Sequence, residues 1–443
     1  MSFLRFSTCI VAMCFFAVSQ GYSQPEKVIS TGKQPVKIIP HNDKVHVFCA
    51  LTDVNFNGMR EEGDSPASWY IMDAKNGSIL SSKEFEWYGT DYVMSATLDI
   101  EKNIMYCNDM STVRGFNALN QEDLGIFYPK TSSGLSLNKS GTVLAMALRP
   151  NFTDAGKVIL YNLENGDTTV QLNAGINVRQ TEFYDVDNNN SGIIVLNEGL
   201  FGSNSSWLHI WTLTAEKTLV DSVLLGNTGN HVFVDGDYAY ATVNGSHNIV
   251  IVDLKTKKIF DTISTETAGF NGPREAIKIG NELFVTTFEG DVRRISLESK
   301  KIIEKFNSHG KPEGLAKVGD RIWIADAFKQ GQFSVDSTIS VWNYLEPLAS
   351  LSDMTTKNSF SIAPHPIRNS FTVYLHESQL LNNDIRVKFT SMTGDIINLS
   401  SFYYDNSLHT IEIPNLGSIA PGVYHLQISD GINIFNGTVI VVK

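Results

Sequence analysis

The strongest constraint on this chain is a repeat. The segments "HVFVDGDYAYATVNGSHNIVIVDLKTKKIFDTI", "EAIKIGNELFVTTFEGDVRRISLESKKIIEKF" and "GLAKVGDRIWIADAFKQGQFSVDSTISVWNYLE" align through the turns Gly236-Asp237, Gly280-Asn281 and Gly319-Asp320, which are spaced 44 and 39 residues apart. That spacing matches one four-stranded propeller blade. Each segment runs in the same order: an apolar strand, a tight Gly turn, a second apolar strand, a polar loop, an alternating third strand and a fourth flanked by Lys or Glu. Weaker copies around "VKIIPHNDKVHVFCALTD", "DYVMSATLDIEKNIMYCND", "GLSLNKSGTVLAMALRP" and "TEFYDVDNNNSGIIVLNEG" bring the units to seven. One such unit cannot bury both faces of its sheet, so the units pack face to face around an axis, and closing the ring hides their edges. The expectation is an all-β chain with a seven-bladed β-propeller over residues 25–350, in which residues 34–39 are the candidate strand for completing the last blade.

Composition supports an all-β reading. Apolar residues make up 42% of the 443 positions and Gly occupies 33, with almost no helical spacing of Ala, Glu, Leu and Lys. The formal charge is −12, with no Lys/Arg stripe, so neither nucleic acid nor an anionic membrane is an expected partner. Residues 1–23 place one Arg before a short apolar run and then small polar residues, which reads as a secretory signal cleaved near Ser23. No other stretch is long and apolar enough to span a bilayer, so the mature chain is expected without a transmembrane segment, secreted or at the cell surface by way of the periplasm. Of the four cysteines, Cys49 and Cys107 remain after cleavage, both in apolar strand-like runs. Two buried thiols are favoured over a disulfide.

The blade pattern stops after "NYLEPLASLSDMTTKNS". A Ser/Thr/Asn-rich linker, residues 351–357, leads into alternating strands joined by Gly and Pro turns over 358–443, the size of a small β-sandwich.

Two resemblances follow from these residues. "AYATVNGSHNIVIVDLKTKKI" resembles the YVTN-type repeat of lactonase-like propellers, with Tyr240 to Asn244 standing at that motif. "VLNEGLFGSNSSWLHIW" and "GKPEGLAKVGDRIWIADA" resemble Bacteroidetes surface propellers, some of which bind cobalamin. The C-terminal region resembles the type A sorting domain of the type IX secretion system. Pro364-His365-Pro366 stands at that family's Pro-Asn-Pro turn, Met392-Thr393-Gly394 at its middle Gly turn and Pro421-Gly422-Val423-Tyr424 at its most recognisable signature. His365 replaces Asn, but the two prolines still fix the turn. The sorting-domain resemblance implies that the type IX machinery is a partner, reading the C-terminal domain and removing it.

For chemistry, the sequence holds no Gly-x-Ser-x-Gly, Cys-x-x-Cys, His-Glu-x-x-His or phosphate-binding Gly loop. Polar residues at the starts of the innermost strands line the channel mouth in a propeller. The aligned set is Asn230-His231, Arg274-Glu275 and Glu313-Gly314, with Arg179 and Glu198 added from the fourth unit. Such groups either satisfy one another or bind a ligand, here an unknown small molecule or surface protein. As exposed positions, Arg274, Glu275 and Glu313 are expected to tolerate joint replacement by Ala at about 1 to 2 kcal/mol. Phe201 and Trp207, in a Gly- and Ser-rich loop, are the aromatics most suited to stacking on a ligand, while the remaining Trp residues suit blade packing. Binding is favoured over the alternative, a lactonase-type hydrolase whose channel carboxylates Glu198, Glu275 and Glu313 hold a divalent cation.

"DVNFNGMREEGD", residues 53–64, has the spacing of a calcium loop. Asp53, Asn55 and Asn57 stand at positions 1, 3 and 5, Gly58 permits the bend, the Met59 carbonyl follows, and Asp64 closes the loop at position 12. The flanking strands exclude an EF-hand domain. The choice lies between a weak, structural calcium ion pinning an insertion in the first blade and an Asx-rich turn bonded to its own backbone.

Overall fold

The computed structural model describes residues 25–343 apart from 56, 88–94, 110, 187–190, 214–217 and 332–333. Beyond them it describes 360–442 apart from 364–366, 376–384, 392–395, 400, 406–409, 417–418 and 430–433. The expected signal segment, the linker 351–357 and the turns at 364–366 and 392–394 lie outside the described residues. The chain divides after Tyr344 into two compact units.

The regular structure of the described residues is almost entirely β, arranged as repeated four-stranded antiparallel sheets, seven of them in the N-terminal unit. The first strands of these sheets are Pro35–His41, Ala96–Asp99, Gly134–Leu137, Val178–Asp185, Gly229–Asp235, Pro273–Ile279 and Gly310–Val318. In sheets 1 to 6 the strands follow in chain order. Gly236, Gly280 and Gly319 take φ of 56°, 58° and 61° at the first-to-second-strand turns, with Asn42 doing the same in sheet 1 at 55°. The left-handed conformation there lets two residues reverse the chain, as in Asp235↔Tyr238 and Ile279↔Glu282.

The seventh sheet has the order Lys27–Ser30, Val335–Asn343, Arg321–Lys329, Gly310–Val318. The strand that completes it is therefore Lys27–Ser30, not residues 34–39, which belong to the first strand of sheet 1. The sequence misdirects here because both stretches are short and apolar; pairing of Ile29 with Ile339 decides between them.

Apolar burial ties each sheet to the next. Trp69 and Ile71 of sheet 1 share a cluster with Met105 and Phe116 of sheet 2, and similar clusters join each later pair. A further cluster joins Val45, Val47 and Met72 of sheet 1 to Trp323, Ala325 and Ile339 of sheet 7. No sheet buries both faces by itself, so each cluster supplies what the repeat demands, in a propeller-like arrangement. Trp69, Trp211, Trp323 and Trp342 are all buried in these seams. Cys49 and Cys107 are free, buried thiols, Cys49 pushed up to about 12 by burial.

The C-terminal unit has two four-stranded sheets sharing one core. Phe371, Val373, Ile411 and Ile413 come from one sheet, and Phe389, Tyr424, Leu426 and Ile428 from the other. Pro421-Gly422 opens the strand Gly422–Ser429, and Tyr424 turns into the core against Phe389 while its hydroxyl donates to the Ala420 carbonyl at 2.8 Å. Its ring fills the core and its polar tip is satisfied locally.

Candidate ligand site at the converging first strands

The first strands of the seven sheets converge on a cavity of about 290 Å³. Ordinary alternation would send every second side chain away from it. In sheets 4, 5, 6, 7 and 1 the pairing with the second strand slips at the mouth, between Val178 and Gln180, Gly229 and His231, Pro273 and Ala276, Pro312 and Leu315, and Pro35 and Lys37. A bulge re-aims side chains. Consecutive residues of one strand, such as Arg179 with Gln180 or Arg274 with Glu275, thereby both line the cavity.

The charges at the mouth are largely paired. Arg274 grips Glu313 through two bonds, Nε to Oε2 at 2.9 Å and Nη2 to Oε1 at 2.8 Å. Arg179 donates to Glu198 at 3.3 Å and to the Asn230 carbonyl at 2.6 Å. Asn230 and Thr242 both donate to the Arg274 carbonyl at 2.8 Å, and Thr286 donates to the Glu313 carbonyl, so side chains of one sheet fix the first strand of the next. These residues are half-buried, with side-chain exposures of 14% for Glu313 and 21% for Arg274. That corrects the expectation of exposed, freely replaceable positions: removing one partner strands the other charge in a partly desolvated place.

Deeper in, His231 Nε2 lies 3.6 Å from Glu275 Oε1. Burial, with help from the positive charges of Lys37 and Arg179, pushes the His231 imidazole down to about 3. Burial pushes Glu275 up to about 7, with Glu313 and Glu182 adding to the rise and Lys37 and Arg179 opposing it. Glu182 is likewise raised to about 7 by burial, against the hydrogen bond from Gln180 and the charge of Lys37. The Glu275 side chain is ringed by protein yet keeps about a fifth of its surface open to the cavity. At neutral pH the site thus holds a neutral imidazole beside carboxyls that are partly protonated.

Of the residues singled out from sequence, Arg179, His231, Arg274, Glu275 and Glu313 line this same cavity, and Glu198 joins it through Arg179. Phe201 is exposed and stacks in parallel on Phe270, ring centres 6.3 Å apart. Trp207 does not lie in the loop: it sits in the strand Ser206–Leu213, paired with Leu224, and is not among the lining residues. Sequence reasoning missed Lys37, Gln180 and Glu182. A signal existed for Lys37, because Pro35-Val36-Lys37 stands in the same register as Pro273-Arg274-Glu275 and Pro312-Glu313-Gly314.

The three carboxylates proposed for a channel cation do not converge, since Glu198 turns to Arg179 and Glu313 to Arg274. Among the described residues, no three His, Cys, Asp or Glu side chains come together as a metal site. In the 53–64 loop, the Asp53 carboxylate accepts from the Asn57 and Gly58 amides, and the Asp64 carboxylate from Val54 and Glu61. Asn57 accepts from Met59, Asn55 donates to Glu61, and Gly58 takes φ 76°. The loop closes on its own hydrogen bonds, in the manner of an Asx turn.

Among the described residues, no helix is long and apolar enough to cross a membrane. No protein-family model matches the chain, and a search of curated proteins returns no match.

Proposed function

We propose that the chain is an exported binding protein, secreted or held at the cell surface, built as a closed seven-bladed propeller followed by a sorting β-sandwich of the type IX secretion kind. Its ligand or partner occupies the mouth where the first strands converge. One observation carries the binding reading: five first strands, in sheets that are neighbours around the ring, break register at the same level and turn charged or amide side chains into one cavity. Concave sites with a few fixed polar groups are where small ligands bind, and side chains already held by neighbours lose little entropy on binding.

The test is a small-molecule binding screen with the wild type and a double variant, Arg274→Met with Glu313→Gln, which removes both charges and so strands neither. The expected result is a ligand whose affinity falls at least about tenfold in the variant, some 1.4 kcal/mol. Undiminished affinity in a folded double variant would move the site elsewhere. Export rests on the signal-like N-terminus and on the ordered sorting motifs. Deleting residues 355–443 is expected to trap the remaining protein in the periplasm, and its normal delivery to the surface would contradict the secretion reading. Calcium at 53–64 is proposed only as a structural ion for the inserted loop.

A further inference from the structure

We propose that the cavity holds an anion subsite centred on Lys37, which takes the carboxylate of a small ring-bearing ligand, the simplest hydroxylated form being a uronic acid. This deepens the binding reading given above and rests on it. Three cationic side chains line the cavity, Lys37, Arg179 and Arg274. Arg179 and Arg274 are each engaged by a carboxylate, whereas the Lys37 ammonium makes no hydrogen bond or ion pair among the described residues. A lining ammonium with no partner of its own is the group to which an incoming anion gains most.

The surroundings favour a carboxylate over a cation. The charge of Lys37 reaches Glu182 from sheet 4, His231 from sheet 5 and Glu275 from sheet 6, and Arg179, Arg274 and Glu313 line the same cavity. Glu313 is neutralised by Arg274 and His231 is neutral, so Glu275 and Glu182 decide the sign. Both are raised to about 7, and while protonated they leave Lys37 uncompensated and supply O–H donors. Gly314 lets the first strands of sheets 7 and 1 approach closely beside Glu275: a Cβ there would stand 2.5 Å from the Val36 carbonyl oxygen and 3.3 Å from Glu275 Oε2.

Two features shape the rest of the ligand. At about 290 Å³ the cavity lies at the small end of ligand pockets, so it admits one small ring or the end of a longer molecule. At the lining, the side-chain amides of Gln180 and Asn230 suit ring hydroxyls.

The test uses the full chain with D-glucuronate and, as the neutral counterpart, D-glucose, followed by calorimetry and by amide chemical shifts. Glucuronate is expected to bind at least about tenfold more tightly than glucose at pH 6, moving the amides of Lys37, Gln180, His231 and Glu275. Lys37→Met is expected to abolish the preference and Lys37→Arg to keep it. Affinity is expected to fall as pH rises from 6 to 8.5, where Glu275 and Glu182 ionise, and Glu275→Gln is expected to flatten that fall. Equal binding of both sugars at these amides, or undiminished glucuronate binding by Lys37→Met, would overturn the anion subsite while leaving the channel reading intact. Glucuronate binding that moves only amides away from the first strands would overturn the channel reading as well. Absence of binding by either sugar at tens of millimolar would overturn the choice of ligand class.

Discussion

Glu275 and His231 face each other with proton affinities displaced in opposite directions, and this fixes how each contributes to stability. Glu275 holds its proton more tightly folded than unfolded. Its favourable contribution is complete below about pH 4.5 and is lost as pH rises through about 7. Glu275→Gln should therefore raise the urea midpoint relative to wild type at pH 8 and leave it unchanged at pH 4. A gain of the same size at both values would show that the carboxyl is not raised. The histidines act in the other sense. His46, fully buried and accepting from Trp69 Nε1 at 3.1 Å, is held down to about 3 by burial, and so is His231. Their contribution is present above about pH 6.5 and is lost as pH falls towards 3. Trp69→Phe leaves His46 Nδ1 without its donor, so it should cost about 1 to 3 kcal/mol by urea titration. A neutral outcome would remove that bond from the account. At this scale the sequence was legible only where residues align: Arg274, Glu275 and Glu313 follow shared prolines and turns, and so does Lys37, which reads as an ordinary strand residue until the bulge turns it inward. Gln180 and Glu182 carry no such mark, because an alternating strand pattern gives no warning of a register slip.

The hairpins and loops show the same division at the level of elements. The Gly turns were legible because a two-residue reversal needs a left-handed residue, and Gly236, Gly280 and Gly319 supply it. Gly280→Ala meets open space and only the backbone strain, so it should cost about 1 kcal/mol. Gly272, in the loop joining sheets 5 and 6, is harder to replace, since a Cβ there would come 2.0 Å from the carbonyl oxygen of Asn244 in the turn between the second and third strands of sheet 5. Gly272→Ala should lower the urea midpoint more than Gly280→Ala does, and the reverse order would contradict the close approach. The 53–64 loop was legible as a bend at Gly58, but the spacing of Asp and Asn does not separate a cation site from a self-bonded turn, because both aim the same oxygens inward. If calcium is its structural ion, several millimolar calcium should raise the melting temperature, and Asp53→Ala should remove the increment. An unmoved wild-type melting curve would leave the loop as a turn alone.

For the whole molecule, the period of the repeat was enough to anticipate seven four-stranded units, because each must bury a face against its neighbour. It was not enough to find the strand Lys27–Ser30 of the seventh sheet, since a four-residue strand carries too little pattern and is specified by its partner Val335–Asn343. Removing residues 1–31 should therefore destabilise the entire N-terminal unit, whereas removing 345–443 should not, as the two units have separate cores. A normal melting transition in the shorter N-terminal deletion would contradict closure by that strand. The central claim is that a ligand sits where the bulged first strands converge. It is tested most directly by comparing amide hydrogen exchange of the full chain with and without the tightest ligand from the binding screen. Protection gathered on residues 34–41, 178–185, 229–235, 273–279 and 310–318 is the result this account predicts; protection confined to the outermost strands or to the C-terminal unit would contradict it.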